Sequence, residues 1–141
     1  TTAFDMARLG IALRRDFPEY YHFFKMQEFS YNGITYPGHN RVIGRYPGAD
    51  GLKTGYIRAS GFNLVTSVKR DNYNIVVVIM GGSSAASRDN QMIAKLDRTF
   101  AQLEGGVGQV ADAYQQNEIT KMNPAVFSEV VDVMPPQAQG Y

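Results

Sequence analysis

Tyr73-Asn74-Ile75-Val76-Val77-Val78-Ile79-Met80 contains five β-branched aliphatic residues in a row, Ile75 to Ile79. A block of that kind presents apolar side chains on both faces, so it reads as a central strand covered on each side. Toward the N-terminus, Arg70-Asp71-Asn72 is short enough for an antiparallel hairpin, and Phe62 to Lys69 forms the strand before it, with Phe62 and Leu64 facing a core. Ala59-Ser60-Gly61 makes a second hairpin, which leads back to a strand over Gly51 to Ile57. Toward the C-terminus, Gly81-Gly82-Ser83-Ser84 ends the sheet. A helix from about Ala86 to Leu103 then sets Met92, Ile93, Leu96, Phe100 and Leu103 on one face, which should pack across the sheet. The fold class is α/β of the α+β kind, an antiparallel sheet packed with helices.

The outer parts of the chain are simpler. Thr1 and Thr2 precede a helical pattern in which Phe4, Ala7 and Ile11 form one stripe and Met6, Leu9 and Leu13 widen it. Asp5 stands three residues after Thr2, as a capping box requires, while Arg14 and Arg15 suit the other end of the helix dipole. Pro18 marks the stop, and Phe17 to Phe24 reads as a short second helix or turn. Between Phe29 and Tyr46, Tyr31-Asn32-Gly33 and Pro37-Gly38-His39-Asn40 are turns joining short extended pieces. After Gly105-Gly106 the residues Gly, Gln, Asn and Pro dominate. Residues 1–104 therefore read as folded domain, and 105–141 as a linker or tail with at most one weak helix near Val110 to Gln116.

Composition narrows the function classes. At 141 residues, 44% hydrophobic and 19% charged, the chain is long enough for one domain with its own core. A formal net charge of +1 gives no field-driven attraction to nucleic acid or lipid. The absence of Cys excludes disulfides and thiolate metal sites. The run Ile75 to Met80 is far too short to span a bilayer, and no charged-then-apolar signal segment opens the chain. His22 and His39 are distant from one another and lack partners at ligand spacing, so neither a metal nor a cofactor is expected. Gly81-Gly82 before a helix is too little for a phosphate cradle. Tyr20, Tyr21, Phe23 and Phe24 fit core or interdomain packing better than a partner surface.

Chemistry concentrates at Lys53-Thr54-Gly55, on the first of the three strands. Acyl transfer from a peptide or lactam carbonyl needs a cation near the substrate carboxylate, a hydroxyl to hold that carboxylate, and a strand edge where the substrate backbone docks. Lys53 supplies the first and Thr54 the second; Gly55 lets a substrate approach where a Cβ would collide with it. Strand alternation sends Lys53 and Thr54 to opposite faces, so both serve one site only if it wraps a twisted edge. A bare tripeptide of this kind also occurs on ordinary exposed strands.

The flanks carry more. Asp50-Gly51-Leu52-Lys53-Thr54-Gly55-Tyr56 followed by Ala59-Ser60-Gly61-Phe62-Asn63-Leu64-Val65 resembles the D-alanyl-D-alanine carboxypeptidases, the low-molecular-mass penicillin-binding proteins. The likeness runs from Thr1 to about Phe100, through Thr2-Ala3-Phe4-Asp5-Met6-Ala7, Arg15-Asp16-Phe17-Pro18-Glu19-Tyr20-Tyr21 and Met80-Gly81-Gly82 with Arg88 beyond. Class A β-lactamases share Lys-Thr-Gly but not these flanks.

The resemblance implies a β-lactamase/transpeptidase-like partial domain, of which residues 1–104 are the C-terminal half. It also implies a serine acyl-enzyme that cleaves the terminal D-Ala-D-Ala bond of peptidoglycan stem pentapeptides and is acylated by β-lactams. Lys53 then has the catalytic role, with Lys53, Thr54, Gly55, Tyr56 and Arg88 on the substrate. Arg88 matches an arginine that helps bind the terminal carboxylate, and reads equally as a helix-start residue on a solvated surface. Tyr56 lines the mouth of the site or simply packs in the strand. The implied location is periplasmic or otherwise extracytoplasmic, with or without membrane association.

The departure is equally clear. No Ser-x-x-Lys occurs in the chain: Thr66-Ser67-Val68-Lys69 has Thr first and lies in a strand. Ser30-Tyr31-Asn32 fits the family's Ser-x-Asn but follows the first helix instead of preceding it. Both elements are expected before Thr1, in an N-terminal part of the same catalytic domain that this chain needs as its partner. The rival readings are a β-lactamase-type serine hydrolase and a non-catalytic module that binds peptidoglycan peptides.

Overall fold

The computed structural model describes residues 1–105 and 129–134. Helix α1 (Ala3–Asp16) is followed by a 3-10 turn of helix over Pro18–Lys25 and a hairpin of β1 (Glu28–Tyr31) and β2 (Ile34–Pro37). Then come β3 (Ala49–Ile57), β4 (Gly61–Arg70), β5 (Tyr73–Gly82), helix α2 (Ala85–Gly105) and β6 (Glu129–Met134). The sheet order is β3-β4-β5-β6, antiparallel throughout.

The three strands and two hairpins expected from sequence are all present. β5 is buried from Ile75 to Ile79, because α1 covers one face of the sheet and α2 the other. Ile75, Val77 and Ile79 join Leu64, Val68, Met92, Leu96, Phe100 and Leu103 on the α2 side. Val76 and Val78 join Val65, Ala3 and Ala7 on the α1 side. The period of two along the strand thus feeds two separate cores. The β1–β2 hairpin turns at Asn32 and Gly33, both at positive φ, the Asn-Gly pair that tight two-residue hairpins favour. All eight of its strand residues are exposed.

Two expectations are corrected. On α1 the stripe of Phe4, Ala7 and Ile11, widened by Met6, Leu9 and Leu13, is buried only in part: Ala7 is buried and Met6 and Ile11 pack partly on the core, whereas Phe4 and Leu9 are about half exposed and Ala3 and Gly10 also face the sheet. Small residues win because the helix lies close to the strands: a Cβ at Gly10 would stand 2.8 Å from Leu52 Cδ1. The second correction lies in the segment read as linker, where Glu129–Met134 forms β6 and pairs with β5 from Asn74 to Ile79. Without β6, β5 would present its unpaired N–H and C=O groups at a sheet edge, so β5 is the template that makes this short segment a strand. The weak helix expected near Val110 to Gln116 lies outside the described residues.

Of the four clustered aromatics, Tyr21 is buried and Phe24 packs partly against the α1-side core, while Tyr20 and Phe23 remain exposed. Packing therefore accounts for half of that cluster.

Candidate active site

β3 is an edge strand: among the described residues it pairs with β4 alone. Lys53 lies opposite Val65, a residue of the α1-side core, and Thr54 opposite Leu64, a residue of the α2-side core. The two functional side chains thus leave the strand on opposite faces, as alternation requires. Around the end of β3 runs an apolar depression of about 410 Å³ lined by Thr1 and Met6 of α1, Lys53 and Gly55 of β3, Asn63 of β4 and Met80 of β5. The Thr2–Asp5 capping box already occupies donors at the N-terminus of α1 beside it.

Each residue singled out in the sequence has a definite place. Lys53 is exposed, and its Nζ folds back to donate to the carbonyl of Thr54. No carboxylate among the described residues neutralises it, so its charge is available to an anionic group on a ligand. Thr54 is half-buried and lines the same depression. At Gly55 an added Cβ would meet nothing within 4 Å. Nothing inside the molecule therefore demands glycine there. Tyr56 is exposed and its ring packs on Phe62 at 4.5 Å between centroids, so it is at once a strand-packing residue and a wall at the mouth.

Arg88 departs from the solvated helix-start reading, because its side chain is 3% exposed. Its Nε and Nη2 donate to Asp89 Oδ1 at 2.9 and 2.7 Å, Nη1 to the Asn63 carbonyl at 3.4 Å, and Nη2 to the His39 carbonyl at 3.3 Å. A buried guanidinium must be paired in this way. Its tie to the site runs through the backbone of Asn63, opposite Gly55.

One cluster escaped the sequence reading. Asp50 opens β3 where the strand carries an extra residue against β4, the register passing from Ala49↔Val68 to Gly51↔Ser67. Arg14 grips its carboxylate with two N–H groups, each at 2.9 Å, and Ser67 donates to it at 2.5 Å. Tyr21 bonds Ser67, lies 3.4 Å from Asp50, and has its hydroxyl pushed up to about 12 by burial. This network fixes the entry of β3 against α1 and the 3-10 turn, three residues before Lys53. Its members are far apart in sequence, and no local spacing announces them. Among the described residues no three acidic or His side chains gather as for a metal, and no helix is long and apolar enough to cross a membrane.

The open edge of β3 thus presents an exposed lysine, a hydroxyl and a glycine beside an apolar depression. Residues 1–84 match the family model described as D-alanyl-D-alanine carboxypeptidase, and the chain belongs to that family. It is 38% identical over 92 residues to D-alanyl-D-alanine carboxypeptidase DacC of Escherichia coli, covering 64% of this chain and 23% of that protein. Among solved structures it is similar to penicillin binding protein 5 from Haemophilus influenzae, with TM-score 0.66 and 32% identity over 69% of this chain and 29% of the other. It is also similar to penicillin binding protein 6B from Escherichia coli, with TM-score 0.63 and 29% identity over 96% of this chain and 39% of the other. The chain spans about a quarter of the length of the curated relatives it matches, 24% and 23% for the first two.

Proposed function

We propose that this chain supplies the substrate-docking wall of a serine D-alanyl-D-alanine carboxypeptidase that removes the terminal D-Ala of peptidoglycan stem pentapeptides outside the cytoplasm. The observation that carries this reading is Gly55, an edge-strand glycine at which no described residue stands within 4 Å of an added Cβ, which leaves space for a ligand. The substrate lies along β3 as an added strand, a mode in which main-chain hydrogen bonds give affinity. Thr54 holds the terminal carboxylate. Lys53 offsets its charge and takes part in moving the proton as a serine from outside this chain attacks the carbonyl between the two D-alanines. That attack expels D-Ala and leaves an acyl-enzyme, which water then cleaves. A β-lactam presents the same carboxylate and an acylating carbonyl, and the penicillin-binding relatives support it as a second ligand.

Lys53→Ala tests the assignment in the protein that carries the nucleophile segment. Labelling by a fluorescent penicillin should slow by at least about a hundredfold, in line with the loss of one preorganised electrostatic partner. Labelling at the wild-type rate would sink the reading. Release of free D-Ala from a pentapeptide distinguishes a carboxypeptidase from an enzyme that only opens lactams.

A further inference from the structure

Asn63 stands in β4 opposite Gly55, where β4 and β5 fall out of step. The pairing passes from Phe62↔Gly82 to Leu64↔Ile79, so the single residue Asn63 faces two, Met80 and Gly81. Such a bulge interrupts the ladder, bends the strand and re-aims the groups beside it; bulges gather next to active sites for that reason. It also leaves backbone groups without ladder partners, and these must be satisfied in some other way.

The Asn63 side chain does this. Its Oδ1 accepts from the Gly81 N–H at 3.0 Å, closing the bulge. Its Nδ2 donates to Ser60 Oγ at 2.9 Å and to the Gly61 carbonyl at 3.1 Å, fixing the turn that joins β3 to β4. From behind, the buried Arg88–Asp89 pair reaches the Asn63 carbonyl. Gly82 makes room for that pair, since a Cβ there would lie 2.9 Å from Arg88 Cβ. The amide is thus spent inside the protein and is not itself a substrate ligand.

We propose that Asn63 is a positioning residue for the substrate-docking edge: by locking the β4–β5 bulge and the Ser60-Gly61 turn, it holds Thr54 and Gly55 at the distance a bound peptide backbone requires, with Arg88 as its brace. This rests on the reading of β3 as the docking strand. It also gives Arg88 a role one residue removed from the substrate.

The test compares rates and amplitudes of labelling by a fluorescent penicillin in the protein carrying the nucleophile segment. Asn63→Asp keeps the size of the side chain and the acceptor for Gly81, but replaces the donor that faces Ser60 and Gly61 with an oxygen. The acylation rate should fall about tenfold while all the protein is finally labelled, the pattern of misplacement by a fraction of an ångström. A reduced amplitude at an unchanged rate would mean a purely structural residue and overturn the proposal. If Asn63→Asp does not fold, Ser60→Ala decides, because it removes one of the two acceptors of the amide from a partly exposed turn. About threefold slowing supports the proposal, and an unchanged rate overturns it. Lys53→Ala separates the two levels. If that variant labels normally, the docking-strand reading itself fails; if it is silent while Asn63→Asp and Ser60→Ala label normally, only the role of Asn63 fails.

Discussion

A glycine inside a strand gives up side-chain packing and backbone order, at a cost of about 0.5–1 kcal/mol relative to alanine. Gly55 carries that cost with ordinary strand dihedrals and open space where its Cβ would be. Stability and function should therefore separate there. Gly55→Ala is expected to leave the melting temperature unchanged or to raise stability by about 0.5 kcal/mol. It should also slow penicillin acylation by about tenfold or more if a ligand docks along β3 as proposed, because the new methyl would then stand in its way. Thermal denaturation and labelling rate, measured on the same preparation, check both halves; a stability loss with normal labelling would assign Gly55 to packing. Lys53-Thr54-Gly55 stands out in the sequence because its three residue types are consecutive. Asn63 and Asp50 do not, and Arg88 was singled out without its burial and its pairing with Asp89, since these depend on which elements meet. Two bulges, one at Asp50 and one facing Asn63, flank the motif, and no run of residue types marks a bulge reliably.

Among the elements, α1 shows how far local signals reach. The Thr2–Asp5 capping box was readable from spacing and is present: Asp5 Oδ2 accepts from the Thr2 N–H at 2.8 Å and from its hydroxyl at 2.9 Å. These bonds, the backbone one first, hold the Asp5 carboxyl below its ordinary value of 3.8. A carboxyl whose pKa falls on folding favours the folded state above that ordinary value, and the gain disappears as pH falls through the lowered one. The melting temperature of wild type should therefore exceed that of Asp5→Asn at about pH 6, with the gap closing below about pH 4. A gap constant with pH would show that the cap does not act through the charge. The face α1 buries was readable only in part from the same stretch: Ala7, Met6 and Ile11 turn toward the core as expected. Phe4 and Leu9 are the larger apolar residues, yet Ala3, Ala7 and Gly10 lie inward, because closeness to Leu52, Val65 and Val76 selects for small volume. β5 posed no such problem, for five consecutive β-branched residues require cover on both faces whichever helices provide it.

At the scale of the whole molecule, the sheet is asymmetric in how its edges are used. Among the described residues β3 has a strand on one side only, whereas the Val-rich β5 is sealed by β6, a strand that comes from 47 positions beyond the end of β5 by residue number (129 − 82). The segment Glu129-Val130-Val131-Asp132-Val133-Met134 lacks strict alternation and is followed by two prolines, so nothing local separates it from a tail. Its partner is a strand that sequence reading identifies as central and pairs with β4 on one side, without saying what lies on the other. An edge made of Ile75 to Ile79 would be a flat, uncharged template for pairing with another copy. A chain ending after residue 128 should consequently self-associate, with rising light scattering and a thioflavin response within the time a chain ending after residue 134 stays clear. The two differ by β6 alone, so equal behaviour would mean that β6 is dispensable for covering β5. If aggregation of the shorter chain is relieved by Val77→Lys, edge pairing through β5 is not separated from loss of the core. Val77 belongs to the buried α2-side cluster, and a charge there would unfold the domain. The informative rescue is Asn74→Lys, at a partly exposed position that β6 pairs through Met134. A lysine on the bared edge should restore clarity to the chain ending at residue 128, as charged residues do on natural edge strands, while leaving the far-ultraviolet spectrum unchanged.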